Sequence, residues 1–245
     1  MAQLAQKYDL AFLKKNQVAE ETFSFFFQRP EGLDFQAGQF LRLTLNLPQP
    51  SERGSNRFFS IASSPSEKGI LMITVKTSSQ VYKKTLLSLK TNDKVRIALP
   101  YGIFTLKTGE LSPYIFLAGG IGITPFRSMI RYSADQNLDR PIALFSAFST
   151  VDEIVFQAEM QTLAKDRRWF KFIQTVSRPQ NSSTPWYGNV GRIDANLISK
   201  NAHSLASSIY YIAGPPTMVD SMIAIVKSLG VEESRIRREK FTGYE

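Results

Sequence analysis

The chain of 245 residues contains no cysteine and only one histidine. Without thiols it forms no disulfide, has no cysteine nucleophile and cannot hold a plant-type iron–sulfur cluster, which needs four thiolates. His203 lies in a polar stretch and cannot build a metal centre alone, so we expect no bound metal. No apolar run approaches the ~20 residues of a membrane helix, and the first residues lack a signal-peptide core. We therefore expect a cytoplasmic protein with no membrane span.

Composition nevertheless indicates a folded, basic protein. Apolar residues make up 43% and aromatic residues 12% of the chain, enough for packed cores. The formal net charge of +9 predicts attraction to an acidic partner. No recognised nucleic-acid module surrounds the lysines and arginines, so we expect no nucleic-acid partner.

Two patterns of hydrophobicity divide the chain. Up to about residue 107, short strand-like segments predict a six-stranded antiparallel barrel or sandwich, with one helix-like insert; the segments are 8–15, 22–28, 39–45, 57–62, 70–76 and 94–99, with the insert at 81–89. Beyond residue 112, strands alternate with helices and predict a five-stranded parallel sheet in an α/β domain; these strands are 114–118, 141–147, 171–176, 208–213 and 236–241. We place the domains at 1–108 and 112–245.

A glycine turn follows the strand predicted at 114–118. It contains Gly119, Gly120 and Gly122. Glycine lets a ligand approach the backbone closely. Thr124 is expected to be the N-cap of the next helix, and Pro125 suits its first turn. A strand, a glycine turn and a helix N-terminus form an anion site suited to a pyrophosphate. The spacing is neither Gly-x-Gly-x-x-Gly nor a Walker loop, so a purely structural turn remains an alternative.

Three further segments accompany this turn. They are Arg-Phe-Phe-Ser at 57–60, Ala-Gly-Pro-Pro-Thr-Met at 213–218 and Glu-Lys-Phe at 239–241. In this order, the four motifs resemble the ferredoxin–NADP⁺ reductase-type flavoproteins. The resemblance implies a flavin-binding β-barrel followed by a pyridine-nucleotide-binding α/β domain. It also implies FAD as the cofactor, with FMN less favoured, and NADPH or NADH as the hydride donor.

The resemblance implies a flavin site on the barrel. Arg57 would pair with the flavin's phosphate, and Phe59 would replace a family tyrosine against the flavin ring. Ser60 would be catalytic, forming a hydrogen bond near the hydride-accepting N5. Further contacts are implied at Phe58, Thr74, Val75, Lys76, Lys84 and Thr85, although the family's glycine before the last pair is missing.

The C-terminal segment completes this implied site. Phe241, and Tyr244 as a second choice, would cover the flavin ring until the nicotinamide displaces it. Glu239 would be a catalytic carboxylate that relays a proton or positions a ligand. An ordinary edge strand is the alternative for this segment.

The resemblance also implies a nucleotide site in the α/β domain. The glycine turn from Gly119 to Pro125 would receive the pyrophosphate. Ser177 and Arg178 would bind a 2′-phosphate, which favours NADPH, and Tyr187 would stack on adenine. In the second turn, alanine replaces a family cysteine beside the hydride-transfer site; its implied contacts are Ala213, Gly214, Pro215, Pro216 and Met218.

The resulting hypothesis is an NAD(P)H-dependent FAD oxidoreductase that passes electrons to a separate acceptor. An acidic ferredoxin or flavodoxin is the expected partner, since the chain is basic and has no cluster of its own. One alternative is a free-flavin or ferric reductase. Another is a flavin-binding module without turnover, suggested by Ala213, Phe59 and the missing glycine. A nucleic-acid-binding protein is supported by charge alone.

Overall fold

Six strands of the N-terminal half form an antiparallel sheet. The computed structural model describes residues 4–49, 54–77, 79–107 and 109–242. The strands are β1 (Gln6–Ala19), β2 (Thr22–Gln28), β3 (Phe40–Thr44), β4 (Asn56–Ser60), β5 (Ile70–Lys76) and β6 (Lys94–Tyr101). Their spatial order is β4-β3-β6-β1-β2-β5. Just after β4, the backbone N–H of Ala62 donates to the carbonyl of Met72 in β5 at 2.8 Å, which brings the two outer strands together as a barrel.

Side chains along the barrel strands alternate between the inside and the outside, and those that face inward fill the core. In β3, Leu41 and Leu43 are buried, whereas the residues on either side of them are only partly buried and face outward. Helix α1 (Val81–Ser88) adds Tyr82 and Leu86 to the same core. The hydroxyl of Tyr82 donates to the carbonyl of Leu43 at 2.8 Å, which fixes α1 against the barrel.

The C-terminal half is a parallel sheet covered by helices. Its strands are β7 (Tyr114–Gly119), β8 (Ile142–Phe148), β9 (Phe170–Val176), β10 (Asn189–Val190), β11 (Ile209–Gly214) and β12 (Ile236–Lys240), in the order β10-β9-β8-β7-β11-β12. Its helices are α2 (Thr124–Asp135), α3 (Gln157–Asp166), α4 (Ala195–Asn201) and α5 (Pro216–Ser228). Every residue of β7 and β11 is buried, as expected for central strands packed on both faces.

The predicted two-domain architecture is confirmed, but two details are wrong. The parallel sheet has six strands instead of five, because the two-residue β10 is too short to produce a periodic pattern. Thr124 is the first residue of α2 and not its N-cap, because a 3₁₀ turn precedes it. Its hydroxyl donates to the carbonyl of Ile121 at 2.9 Å. Pro125 does lie in the first turn of the helix.

Across the part of the chain that the structure describes, no helix has the length and apolar character needed to cross a membrane.

A buried arginine of α2 joins the two domains. Nη1 of Arg127 donates to the carbonyl of Ala62 at 2.7 Å and to a carboxylate oxygen of Glu67 at 2.9 Å. Its Nε donates to Glu159 of α3 at 2.7 Å. Burial alone would lower the pKa of this guanidinium, but hydrogen bonds and charge from the two carboxylates outweigh burial and raise it. Arg127 thus fixes the segment after β4 against α2.

Other contacts extend this interface. The hydroxyl of Ser128 donates to the barrel carbonyl of Ser63 at 2.7 Å. Lys76, at the end of β5, forms an ion pair with Glu153 at 2.7 Å. Together with Arg127, these contacts fix the domains at several points.

Replacing Arg127 with alanine should lower the free energy of unfolding by about 3 kcal/mol, because it leaves Glu67 and Glu159 partly buried without their cation. Urea denaturation followed by circular dichroism measures the change. The matched control is Arg131→Ala one turn later, which breaks an exposed pair with Asp135 and should cost less than about 0.5 kcal/mol. Equal effects of the two variants would contradict the assigned role of Arg127.

Candidate functional site

A cavity of about 450 Å³ lies between the barrel and the carboxyl ends of the parallel strands. It is lined by residues 119–121 at the end of β7, residues 147–149 at the end of β8, and Ser177 after β9. The barrel contributes Thr22 and Lys76. Open parallel sheets bind their ligands at this edge, so the cavity is the candidate site.

Two glycine turns interlock at the base of this edge. A Cβ on Gly122 would lie 2.3 Å from the carbonyl oxygen of Ala213, so only glycine fits there. Gly214 has a φ of +153°, and a Cβ on it would lie 3.1 Å from the carbonyl oxygen of Gly119. Gly120, in contrast, has a φ of +52° and open space where its side chain would be. Gly122 and Gly214 therefore permit close backbone packing, whereas Gly120 keeps the backbone accessible at the cavity.

The structure brings part of the predicted nucleotide site together. The predicted residues that line the cavity are Gly119, Gly120, Ser177, Pro215 and Met218. Those buried behind the lining are Gly122, Thr124, Pro125, Ala213 and Gly214. Pro216 is half-buried in the first turn of α5. Arg178 and Tyr187 are exposed outside the lining, with Tyr187 94% exposed. The residues predicted for the pyrophosphate thus line or back the cavity, and the nucleotide contacts of Arg178 and Tyr187 stay predictions.

Several polar cavity residues are missing from the sequence-based prediction. Thr217 and Ser221 lie one turn apart on α5, and Ser149 follows β8. Arg192 also lines the cavity and is exposed. Sequence offered a signal for Arg192, since it lies five residues after Tyr187, for which the resemblance implies an adenine contact. Hydroxyls at positions i and i+4 of a helix were a weaker signal for Thr217 and Ser221.

Strand β4 carries the predicted flavin contacts on alternating faces. Phe58 is 60% exposed, whereas Phe59 is 8% exposed and its ring centre lies 6.2 Å from that of Tyr82 in the barrel core. The guanidinium of Arg57 lies 4.7 Å from the same tyrosine ring centre. Stacking of Phe59 on a flavin ring stays a prediction. Of the two rings, that of Phe58 is the more exposed to solvent.

The remaining predicted flavin contacts occupy varied environments. Thr74 and Val75 are buried within the barrel, and Lys76 reaches the cavity. Lys84 is exposed on α1. The hydroxyl of Thr85 donates to the carbonyl of Val81 within that helix at 2.9 Å. Tyr244 lies outside the described residues.

The two residues predicted to be catalytic meet at the domain interface. Ser60 ends β4, and its hydroxyl donates to the carboxylate of Glu239 in β12. Burial raises the pKa of Glu239 to about 7, although the hydrogen bond from Ser60 lowers it in part. The Oε2 atom is buried and has no hydrogen-bond partner within the described residues. Such a carboxyl can accept or release a proton near neutral pH.

Phe241 connects this carboxyl to the cavity. Its backbone N–H donates to the carbonyl of Gly214 at 2.8 Å, and the residue lines the cavity. The predicted shielding ring therefore lies where the barrel, β12 and the nucleotide cavity converge.

The residues present fit a dinucleotide and a flavin. Gly120 leaves room for a ligand at the cavity, and the first turns of α2 and α5 begin at the same edge, where helices favour anionic groups. Strand β4 offers the cation of Arg57 and, at its end, the hydroxyl of Ser60 beside Glu239. Within the described residues, no group of three or more histidine or acidic side chains could hold a metal ion.

Comparison with known families covers most of the chain. Residues 9–106 match the family described as "Oxidoreductase FAD-binding domain". Residues 116–223 match the family described as "Oxidoreductase NAD-binding domain". The two matches coincide with the barrel and with the parallel-sheet domain up to α5.

Similar proteins include reductase components. The chain is 26% identical over 215 residues to the reductase component of propane 2-monooxygenase from Gordonia sp. (strain TY-5), covering 87% of the chain and 61% of that protein. It is 28% identical over 243 residues to the phenol hydroxylase P5 protein of Acinetobacter pittii (strain PHEA-2), covering 98% and 67%. The chain thus spans about three fifths to two thirds of the length of these two relatives.

A solved structure shares the fold. The crystal structure of the Amycolatopsis cytochrome P450 reductase superimposes with a TM-score of 0.85 at 23% identity. The match covers 98% of this chain and 71% of that one. At this level of identity the likeness supports the two-domain architecture.

The raised pKa of Glu239 predicts a pH-dependent stability. Between its ordinary value of 4.5 and about 7, the folded state holds this proton more tightly than the unfolded state, so stability falls as pH rises through that window. Glu239→Gln removes the titration. Its stability relative to wild type should therefore rise by about 2 to 3 kcal/mol between pH 5 and pH 8, as measured by urea denaturation.

The control for this prediction is Glu233→Gln. Hydrogen bonds from Lys227 and Arg238 lower the pKa of Glu233. The stability of Glu233→Gln relative to wild type should therefore not rise between pH 5 and pH 8. A pH-independent difference between Glu239→Gln and wild type would contradict the assigned environment.

Proposed function

The chain belongs to the ferredoxin reductase-type FAD- and NAD-binding oxidoreductases, and on that basis we propose that it moves hydride from NAD(P)H to FAD and passes the electrons to a separate acceptor. The observation that carries the proposal is the Ser60–Glu239 pair at the domain interface. Phe241, two residues after Glu239, lines the adjacent cavity. When bound, FAD supplies the redox chemistry, and the protein supplies docking, orientation and hydrogen bonding.

Each part of the site has a role in this proposal. The backbone at Gly120 and the first turns of α2 and α5 bind the nucleotide's pyrophosphate. Ser60 and Glu239 lie together at the flavin edge, where Glu239 holds a proton close to the serine hydroxyl. Phe241 occupies the nicotinamide position until the nucleotide arrives.

Ala213 does not by itself favour an inert flavin-binding module. Ala213 is fully buried and does not line the cavity. Replacing the family's cysteine with alanine at this turn therefore leaves no gap in the surface of the cavity.

Arg192 replaces Arg178 in our proposal for nucleotide selection. Arg192 lines the cavity together with Ser177, whereas Arg178 lies outside the lining. A guanidinium suits a phosphate monoester, because it donates two parallel hydrogen bonds. We propose that Arg192 and Ser177 hold a 2′-phosphate and make NADPH the preferred donor.

The acceptor is the remaining part of the proposal. Two relatives are parts of oxygenase systems by name, one being called a reductase component. The basic charge of this chain favours an acidic acceptor, for which we propose a ferredoxin or a flavodoxin.

Anaerobic titration of the flavin-loaded protein with NADPH, and separately with NADH, tests the half-reaction. We expect NADPH to bleach the visible flavin band. In stopped-flow titrations of the bleaching rate against nucleotide concentration, the Arg192→Ala variant should need at least about tenfold more NADPH for its half-maximal rate, since a charge-assisted contact contributes about 1.5 to 3 kcal/mol, and should respond to NADH like wild type.

Arg178→Ala is the matched control and should leave both titrations unchanged. Bound flavin that neither nucleotide bleaches would contradict the proposed activity. Loss of NADPH preference in Arg178→Ala with none in Arg192→Ala would restore the role that sequence assigned to Arg178.

A further inference from the structure

The positive charge of the chain is concentrated in the barrel. Residues 1–108 contain 15 lysines and arginines against 8 acidic residues, whereas residues 109–245 contain 15 against 13. The first segment therefore carries seven of the nine net positive charges. Several cations of the second segment are also paired; Arg238 and Lys227 both contact Glu233, and Lys240 contacts Asp220.

Four of the fifteen lysines and arginines of residues 1–108 lie on one sheet face. The outer face of β1, β3, β4 and β6, which we call the outer barrel face, is opposite the core residues of these strands. Strand register places the row Phe58, Arg42, Ala98 and Lys7 across it. The cations of the face are Lys7, Arg42, Lys94 and Arg96. Within the described residues, only Arg96 forms an ion pair, with Asp9 at 3.3 Å.

An aromatic cluster lies beside these cations. The rings of Phe40 and Tyr101 stack with centres 5.7 Å apart, and Phe58 meets both edge-on at 5.6 and 5.9 Å. A Cβ on Gly102 would lie 2.7 Å from the ring of Phe40, so the glycine lets this ring pack on the backbone. The adjacent Ile103 is 95% exposed. The cluster is thus fixed in place and partly open to solvent.

We propose that the outer barrel face is the docking surface for an acidic electron-acceptor protein. Transient interfaces combine aromatic anchors with a polar rim, and complementary charge steers the encounter. The exposed ring of Phe58 provides the anchor, and the cations that form no ion pair within the described residues provide the charge: Arg42 directly opposite Phe58, Lys7 three strands away in the same row, and Lys94 farther along β6. The inference rests on the proposed reductase function and deepens it by locating the partner.

The position of the face suits electron transfer. Phe58 and Ser60 lie two residues apart on β4, or roughly 7 Å along the strand. A partner seated on Phe58 therefore lies close to the end of β4 where the Ser60–Glu239 pair marks the proposed redox centre.

Charge reversal tests the surface. The double variant Lys7→Glu/Lys94→Glu changes two exposed cations of the face and leaves Phe58, a predicted flavin contact, intact. Lys165→Glu/Lys200→Glu makes the same charge change at exposed positions of the α/β domain. For each protein, NADPH-driven reduction of cytochrome c is measured with a purified acidic [2Fe–2S] ferredoxin or flavodoxin as mediator, alongside direct reduction of ferricyanide.

We expect the barrel variant to lose at least about tenfold in kcat/KM for the mediator at low salt, with a flatter salt dependence, while the α/β variant loses much less. Ferricyanide reduction should stay unchanged in both. Equal losses of kcat/KM for the mediator in the two variants would contradict the proposed docking surface. The absence of a mediator-dependent rate in the wild-type protein would contradict it as well. A wild-type protein that fails to reduce ferricyanide with either nucleotide would instead refute the proposed function.

Carbodiimide cross-linking of the wild-type protein to the same mediator gives a second readout. Cross-links from mediator carboxylates should map to Lys7 and Lys94. Cross-links confined to Lys165, Lys200 or other lysines of the α/β domain would contradict the proposal.

Discussion

The buried guanidinium of Arg127 determines how the two halves of the molecule meet. It lies between Glu67 of the barrel and Glu159 of the α/β domain and also binds the carbonyl of Ala62. Charges withdrawn from water are costly unless they are paired, so this arrangement favours one relative position of the domains. Because Ala62 lies only two residues after the end of β4, the same contact fixes the strand end that presents Ser60 to Glu239.

Desolvation at this interface gives the site its chemistry. Glu239 has a raised pKa because burial penalises its charged form, and one of its oxygens has no hydrogen-bond partner among the described residues. The interlocked turns at Gly122 and Gly214 bring the helix starts of α2 and α5 to one edge. The proposed proton-holding group and the nucleotide cavity thus depend on the same tight packing.

Sequence predicted the architecture well, because alternation and helical periodicity record which faces are buried. It could not reveal β10, which has two residues, nor the different exposure of Phe58 and Phe59, which are identical in type. Arg127 was invisible because its partners are 32 to 65 residues away along the chain. The glycine turns were predictable because each is a contiguous sequence motif. Which arginine faces the cavity depends on how the chain folds, so sequence could not decide it.

The most direct test of this account is the rate of flavin bleaching in the Arg127→Ala variant, measured by anaerobic stopped flow at saturating NADPH. If domain position sets the reaction geometry, the flavin-loaded variant should bleach at least about tenfold more slowly than wild type while keeping its flavin, and Arg131→Ala should match wild type. A flavin-loaded Arg127→Ala protein that bleaches at the wild-type rate would contradict the account.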